Sequence, residues 1–132
     1  MRPIKFRGFN PHDKKWFYGN LTQYDNGSCC INDIAVASET VGQFTGLFDK
    51  KRQEIYEGDI LIEPSVATIS LEVRFNESQG AFCLVEHTHT EGPLLGTCPL
   101  GEMLRLYPTM KVVGNIHNNP EIVKGGKNNG NL

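Results

Sequence analysis

The 132-residue chain carries 13 basic and 15 acidic side chains, a formal net charge of −2, so it offers no strong positive field for phosphate backbones or acidic membranes. Its length suits one domain of about 100–150 residues with a modest core and leaves no room for a second full one. Apolar residues at 39% and 14 glycines describe an ordinary globular chain rich in turns, neither disordered nor fibrous.

The N-terminal third alternates short apolar-aromatic runs with turn residues, the pattern of antiparallel strands. Ile4 to Phe9 predicts a first strand, Asn10-Pro11-His12-Asp13 a turn, and Trp16 to Tyr24 the returning strand. Asp25-Asn26-Gly27-Ser28 predicts a tight hairpin, because Asn-Gly readily takes positive φ, with Cys29 to Val36 as the partner strand. Val41 to Thr45 and Ile60 to Glu63 are further apolar runs, and the polar segment from Asp49 to Glu54 between them predicts an exposed turn. Ile69, Leu71, Val73 and Phe75 then alternate with Thr68, Ser70, Glu72 and Arg74, which predicts a strand with one buried and one wet face. Gln79-Gly80 turns this strand into Ala81 to Val85, completing a hairpin. His87 to Thr97 has no period and predicts a loop.

Pro99 suits the first position of a short helix in which Leu100, Met103, Leu104 and Tyr107 share a face, and Pro108 ends the pattern. Val112 to Ile116 predicts a last strand, and the Gly- and Asn-rich residues 124–132 predict a tail with too little apolar surface to order. The expected organisation is one β domain over residues 1–123.

The first seven residues hold no continuous apolar run, and no later stretch reaches the roughly 18 apolar residues of a membrane helix, so a cytosolic protein is expected. Cys29, Cys30, Cys83 and Cys98 then read as reduced thiols, and Asn20, Asn26 and Asn76, which match the glycosylation pattern, as turn and surface residues. Adjacent Cys29 and Cys30 seldom reach the geometry of an unstrained disulfide.

Phosphate-binding loops and nucleophile elbows are absent. His87 and His89 with Cys83 and Cys98 form the best metal candidate, since imidazole and thiolate suit zinc, but no Cys-x-x-Cys pair anchors it. The alternative is a polar loop beside buried thiols, and no metal, cofactor or catalytic residue is assigned. Asp13, Asp49, Glu54, Glu57 and Asp59 include possible acid–base pairs, notably Glu57 with Asp59 two positions apart on a strand face. Turn chemistry explains Asp59 more simply, because an Asp after Gly commonly accepts backbone N–H bonds. Lys50-Lys51-Arg52 reads as a solvated loop tip. Phe6, Phe9, Trp16, Phe17 and Tyr18 interleave with Lys5, Arg7, Lys14 and Lys15, a mixture able to stack bases and neutralise phosphates, with core packing as the competing explanation.

Three blocks resemble the YopX family: Ile4-Lys5-Phe6-Arg7-Gly8-Phe9 with Trp16, Val41 through Asp49 with Glu54 through Ile60, and Val113 through Glu121. The resemblance spans residues 1 to about 122. Lys51-Arg52 stands where the family commonly shows Asn-Gly, which keeps the turn with a less favoured backbone. His117 stands where an acidic or aromatic residue is frequent.

The resemblance implies a mainly β fold with an SH3-type barrel-like core, additional N-terminal antiparallel strands and at most one or two short helices. It also implies a phage or prophage protein that self-associates. It carries no catalytic residues, so the matching Gly46, Tyr56, Gly58, Asp59, Gly114 and Asn115 read as structural. The expected function is that of a non-enzymatic accessory protein, a homo-oligomer binding a phage or host protein. The second expectation is a nucleic-acid-binding module using the N-terminal strands.

Overall fold

A computed structural model describes residues 2–66, 69–87 and 97–123. The chain is mainly β, with curled antiparallel sheets, a half-barrel and, among the described residues, two short α-helices. It divides into two compact units, Met1–Gly46 and Leu47–Leu132.

In the first unit, β1 (Phe6–Asn10) pairs antiparallel with β2 (Lys15–Gly19), placing Phe9 opposite Trp16 and Arg7 opposite Tyr18. Asn10 builds the turn between them, its Oδ1 accepting the Asp13 N–H at 2.7 Å. The expected single strand from Trp16 to Tyr24 is broken: β2 ends at Gly19 and β3 spans Leu21–Gln23. Gly19 has φ of +153°, and a Cβ there would lie 2.3 Å from the Asn32 amide, so the break needs glycine. The expected strand from Cys29 to Val36 is likewise a hairpin, β4 (Cys29–Ile31) and β5 (Ile34–Val36). Asn32 and Asp33 turn it with φ of 50° and 69°. These residue types tolerate the left-handed region that a two-residue hairpin demands, which is why the chain turns there without glycine. Cys29, Ile31 and Val36 are buried against Phe6, Phe17, Leu21 and Val41.

Strand β6 (Gly42–Phe48) pairs with β1 through Phe6 and Gln43, runs past the boundary at Gly46, and turns at Asp49 toward β7 (Glu54–Tyr56). In the second unit, β8 (Asp59–Ile62), β9 (Ser70–Asn76), β10 (Ala81–His87), β11 (Thr97–Pro99) and β12 (Lys111–Asn115) form an antiparallel sheet in the order β11-β10-β9-β8-β12. Helix α1 (Leu100–Leu106) follows β11 and α2 (Pro120–Val123) follows β12. Pro99 caps α1 and is not its first residue. Leu100 and Met103 of α1 join Ile55, Leu61, Leu71, Val73, Leu84 and Met110 in the core. The loop expected from His87 to Thr97 and the tail expected at 124–132 lie, apart from their first and last loop residues, outside the described residues.

The polar segment expected to be an exposed turn hides one buried member. Asp49 is only 5% exposed. Its Oδ1 accepts the Lys51 and Gln53 N–H groups at 2.8 and 2.9 Å, and its Oδ2 accepts the Val112 N–H at 2.9 Å. One carboxylate thus closes the β6–β7 turn and ties it to β12. Within that turn, Arg52 holds φ of 67°, in the left-handed region that favours glycine. Arg52→Gly is expected to stabilise the fold by about 0.5 kcal/mol, because relief of left-handed strain exceeds glycine's entropy cost and the loss of the 5.5 Å Arg52–Phe48 cation–π contact. The shift in urea midpoint measures it.

Candidate functional site

The β9–β10 hairpin sets the parity of every side chain on the second unit's sheet. Its register places Leu71 opposite Glu86, Val73 opposite Leu84 and Phe75 opposite Phe82, so these six share one face. The expected alternation therefore holds at Leu71 and Val73, while Phe75 at the strand's end is 45% exposed. The reverse face is not simply wet, since Glu72 is 6% exposed.

On the apolar face lies a cavity of about 110 Å³ lined by Glu63, Val66, Ile69, Leu71, Glu86, Met103, Tyr107 and Met110. Apart from its two glutamates it is almost wholly apolar. Glu86 is 5% exposed, and neither carboxylate oxygen has a hydrogen-bond partner among the described residues. A buried carboxylate without partners is costly, and here it stands among Leu, Ile and Met side chains. Glu63 differs. Both its oxygens accept the Thr109 hydroxyl, at 2.7 and 2.8 Å, and Oε2 also accepts the Ser65 hydroxyl at 2.9 Å. The Thr109 hydrogen bond foremost, with those from Ser65, lowers the Glu63 carboxyl below the usual range. Val66 and Tyr107, at 44% and 46% exposure, form an apolar rim.

The sequence does not single out Glu86, because Val85-Glu86-His87 reads as the polar end of a strand. One signal was present: Glu86 has the parity of Phe82 and Leu84, which puts a carboxylate on the side that packs against α1.

The residues expected to carry chemistry are mostly not brought together. His87 meets Glu72 through Nε2 and Oε1 at 2.9 Å, and Arg74 reaches the same oxygen at 3.0 Å. Cys83 shares the His87 face, but Cys98 pairs with Leu84 and so belongs to the opposite face. His89 lies outside the described residues, among which no group of three metal-ligating side chains assembles. The Cys83 Sγ bonds the Gln79 Oε1 at 3.2 Å, and burial, with a smaller contribution from Cys98, raises its thiol above the ordinary 9.0. The folded state holds that proton more tightly than the unfolded chain. Its stabilising contribution is therefore complete below pH 9 and is lost as pH rises through the raised value. Urea midpoints at pH 7.5 and 10 are expected to fall more for the wild type than for Cys83→Ala.

Glu57 and Asp59 do not share a strand face. Glu57 sits in the turn before β8, and Asp59, 2% exposed, accepts the Tyr56 N–H at 2.7 Å through Oδ2. Glu54 accepts the Tyr56 hydroxyl at 2.9 Å, and Asp13 is exposed in the first turn. Gly114 and Asn115 serve the close of β12: the Asn115 Oδ1 accepts the His117 and Asn118 N–H groups at 2.9 and 2.8 Å. The N-terminal aromatics divide. Phe6 and Phe17 join the first unit's core, Arg7 is 5% exposed with its guanidinium 4.9 Å from the Trp16 ring centre, and Phe9 packs edge-on to Trp16. Lys14, Lys15 and Tyr18 are exposed.

Among the described residues no helix is long and apolar enough to cross a membrane. The model of the YopX protein family matches residues 5–124. Among solved structures, protein EF1440 from Enterococcus faecalis is similar in fold, with a TM-score of 0.60 and 24% identity over 93% of this chain and 99% of that one. No curated protein matches the chain.

Proposed function

The chain belongs to the YopX family, and from that premise we propose that it is a non-enzymatic phage or prophage accessory protein, acting in the host cytoplasm by self-association and by binding another protein. The observation that carries this reading is the Glu86 cavity with its exposed apolar rim, a built concavity at the surface of the second unit. Thr109 and Ser65 engage Glu63, while Glu86 has no hydrogen-bond partner among the described residues, which supports a binding role for the cavity over an acid–base one. Exposed Phe75, Leu106 and Val113 add apolar surface to the same unit, which supports association. The curled antiparallel sheets support the SH3-type core that the family resemblance implies.

Light scattering across a concentration series is expected to give dimers or larger species, and a pull-down from host lysate to retain protein with or without nuclease. A monomer that retains nothing overturns the proposal. Retention abolished by nuclease favours the second reading, a nucleic-acid module, for which exposed Tyr18 beside Lys14 and Lys15 offers a stacking and phosphate-contacting surface.

A further inference from the structure

We infer that the Glu86 cavity is a binding site for a lysine side chain presented by a partner protein. The inference rests on the binding-module reading and adds the chemistry of what is bound.

Charge decides first. The carboxylate of Glu86, without a hydrogen-bond partner among the described residues and 95% removed from solvent, calls for a cation that arrives with its own donors. Glu63 at the lining adds negative charge of its own and has its oxygens occupied, so the cation's place is at Glu86. Size decides second. A cavity of about 110 Å³ falls well below the roughly 300–1,000 Å³ of sites for whole small molecules, yet exceeds one water's share of about 30 Å³ several times. It suits one side chain and is too small for a nucleotide.

The lining decides between the two basic side chains. Ile69, Leu71, Met103 and Met110 provide dispersion contacts for an aliphatic stem and no hydrogen-bond acceptors. An ammonium brings three donors, of which two Glu86 oxygens satisfy two. A guanidinium brings five and would leave three facing hydrocarbon. The exposed apolar Val66 and Tyr107 at the mouth fit the backbone and neighbours of a residue in a protein chain better than a free amine in water.

Methyl NMR spectra of the full chain, titrated with Nα-acetyl-lysine N-methylamide, test this. Saturable shifts are expected at Ile69, Leu71, Met103 and Met110, with the norleucine analogue, which lacks the charge, and the arginine analogue each at least tenfold weaker. Glu86→Gln, which keeps the side chain's shape, is expected to weaken the lysine probe at least tenfold while leaving the methyl spectrum folded. Absence of lysine binding, equal binding of norleucine or arginine, or unchanged affinity in Glu86→Gln would each overturn the assignment. So would binding of n-butylammonium by the wild type without binding of the lysine amide, which would make the ligand a free amine. Should Glu86→Gln convert the oligomer to a monomer, the lysine comes from a second copy and the assignment to a different partner fails. Loss of lysine binding with self-association intact would leave the proposed function standing.

Discussion

Asp49→Ala is expected to destabilise the fold by about 3 kcal/mol, the largest loss among the substitutions considered. The carboxylate serves three backbone donors, at Lys51, Gln53 and Val112, from a position only 5% exposed. Each buried donor left unsatisfied costs about 1–3 kcal/mol, and hydrogen bonds to a charged acceptor lie at the strong end. The Lys51 N–H lies in an exposed turn and regains water, so the cost falls on Gln53 and Val112. Asp49→Asn separates charge from geometry. Its carbonyl can stay with Lys51 and Gln53, but its NH₂ then faces the Val112 N–H, donor against donor, so a loss of about 2 kcal/mol is expected. Urea denaturation measures both losses, and an Asp49→Asn variant as stable as the wild type would show that the turn alone needs the side chain and β12 does not.

Asp49 also shows where sequence reasoning stops. The hairpin β9–β10 is legible because alternation is local: Leu71 and Val73 announce the buried face, and Gln79-Gly80 marks the turn. Asp59 is legible as a turn residue for the same reason, its acceptor role lying three residues from its donor. Asp49 looks like one more polar residue in a charged loop because its decisive partner, Val112, is 63 positions away. The two breaks in the first unit hide differently. Gly19-Asn20 and Asn32-Asp33 interrupt runs that are otherwise strand-like, and only the register of β3, β4 and β5 shows that each run is two strands. Glu86 has strand parity that disagrees with its polarity, whereas Glu72 lies on the face that the alternation assigns to water. Reading sequence pattern by residue type assigns each to water, although both are at least 94% buried. Among the described members of the metal candidate, register separates the thiols, since Cys98 lies opposite Leu84 and not on the Cys83 face. None of these misses concerns composition; all depend on which strands pair, and at what offset.

Glu86→Leu is expected to stabilise the protein by about 2 kcal/mol. A carboxylate with no hydrogen-bond partner among the described residues loses its hydration without return, whereas leucine at that position fills apolar space beside Leu71 and Met103. Replacing buried ionic groups by apolar ones of similar volume often stabilises by about 1–4 kcal/mol. Glu86→Gln removes the charge and keeps a buried polar amide, so its gain is expected to be smaller, about 1 kcal/mol. Glu63 provides the contrast within the same cavity. It is already bonded to Thr109 and Ser65, and its replacement by leucine is expected to give no such gain.

The most direct measurement is therefore the urea midpoint of wild type, Glu86→Gln and Glu86→Leu at pH 7.5 without added ligand. A rise through that series is the expected result, the mark of a carboxylate kept buried for a cationic partner. A fall at Glu86→Leu would contradict it, by showing that Glu86 holds the fold together and is not waiting for a ligand.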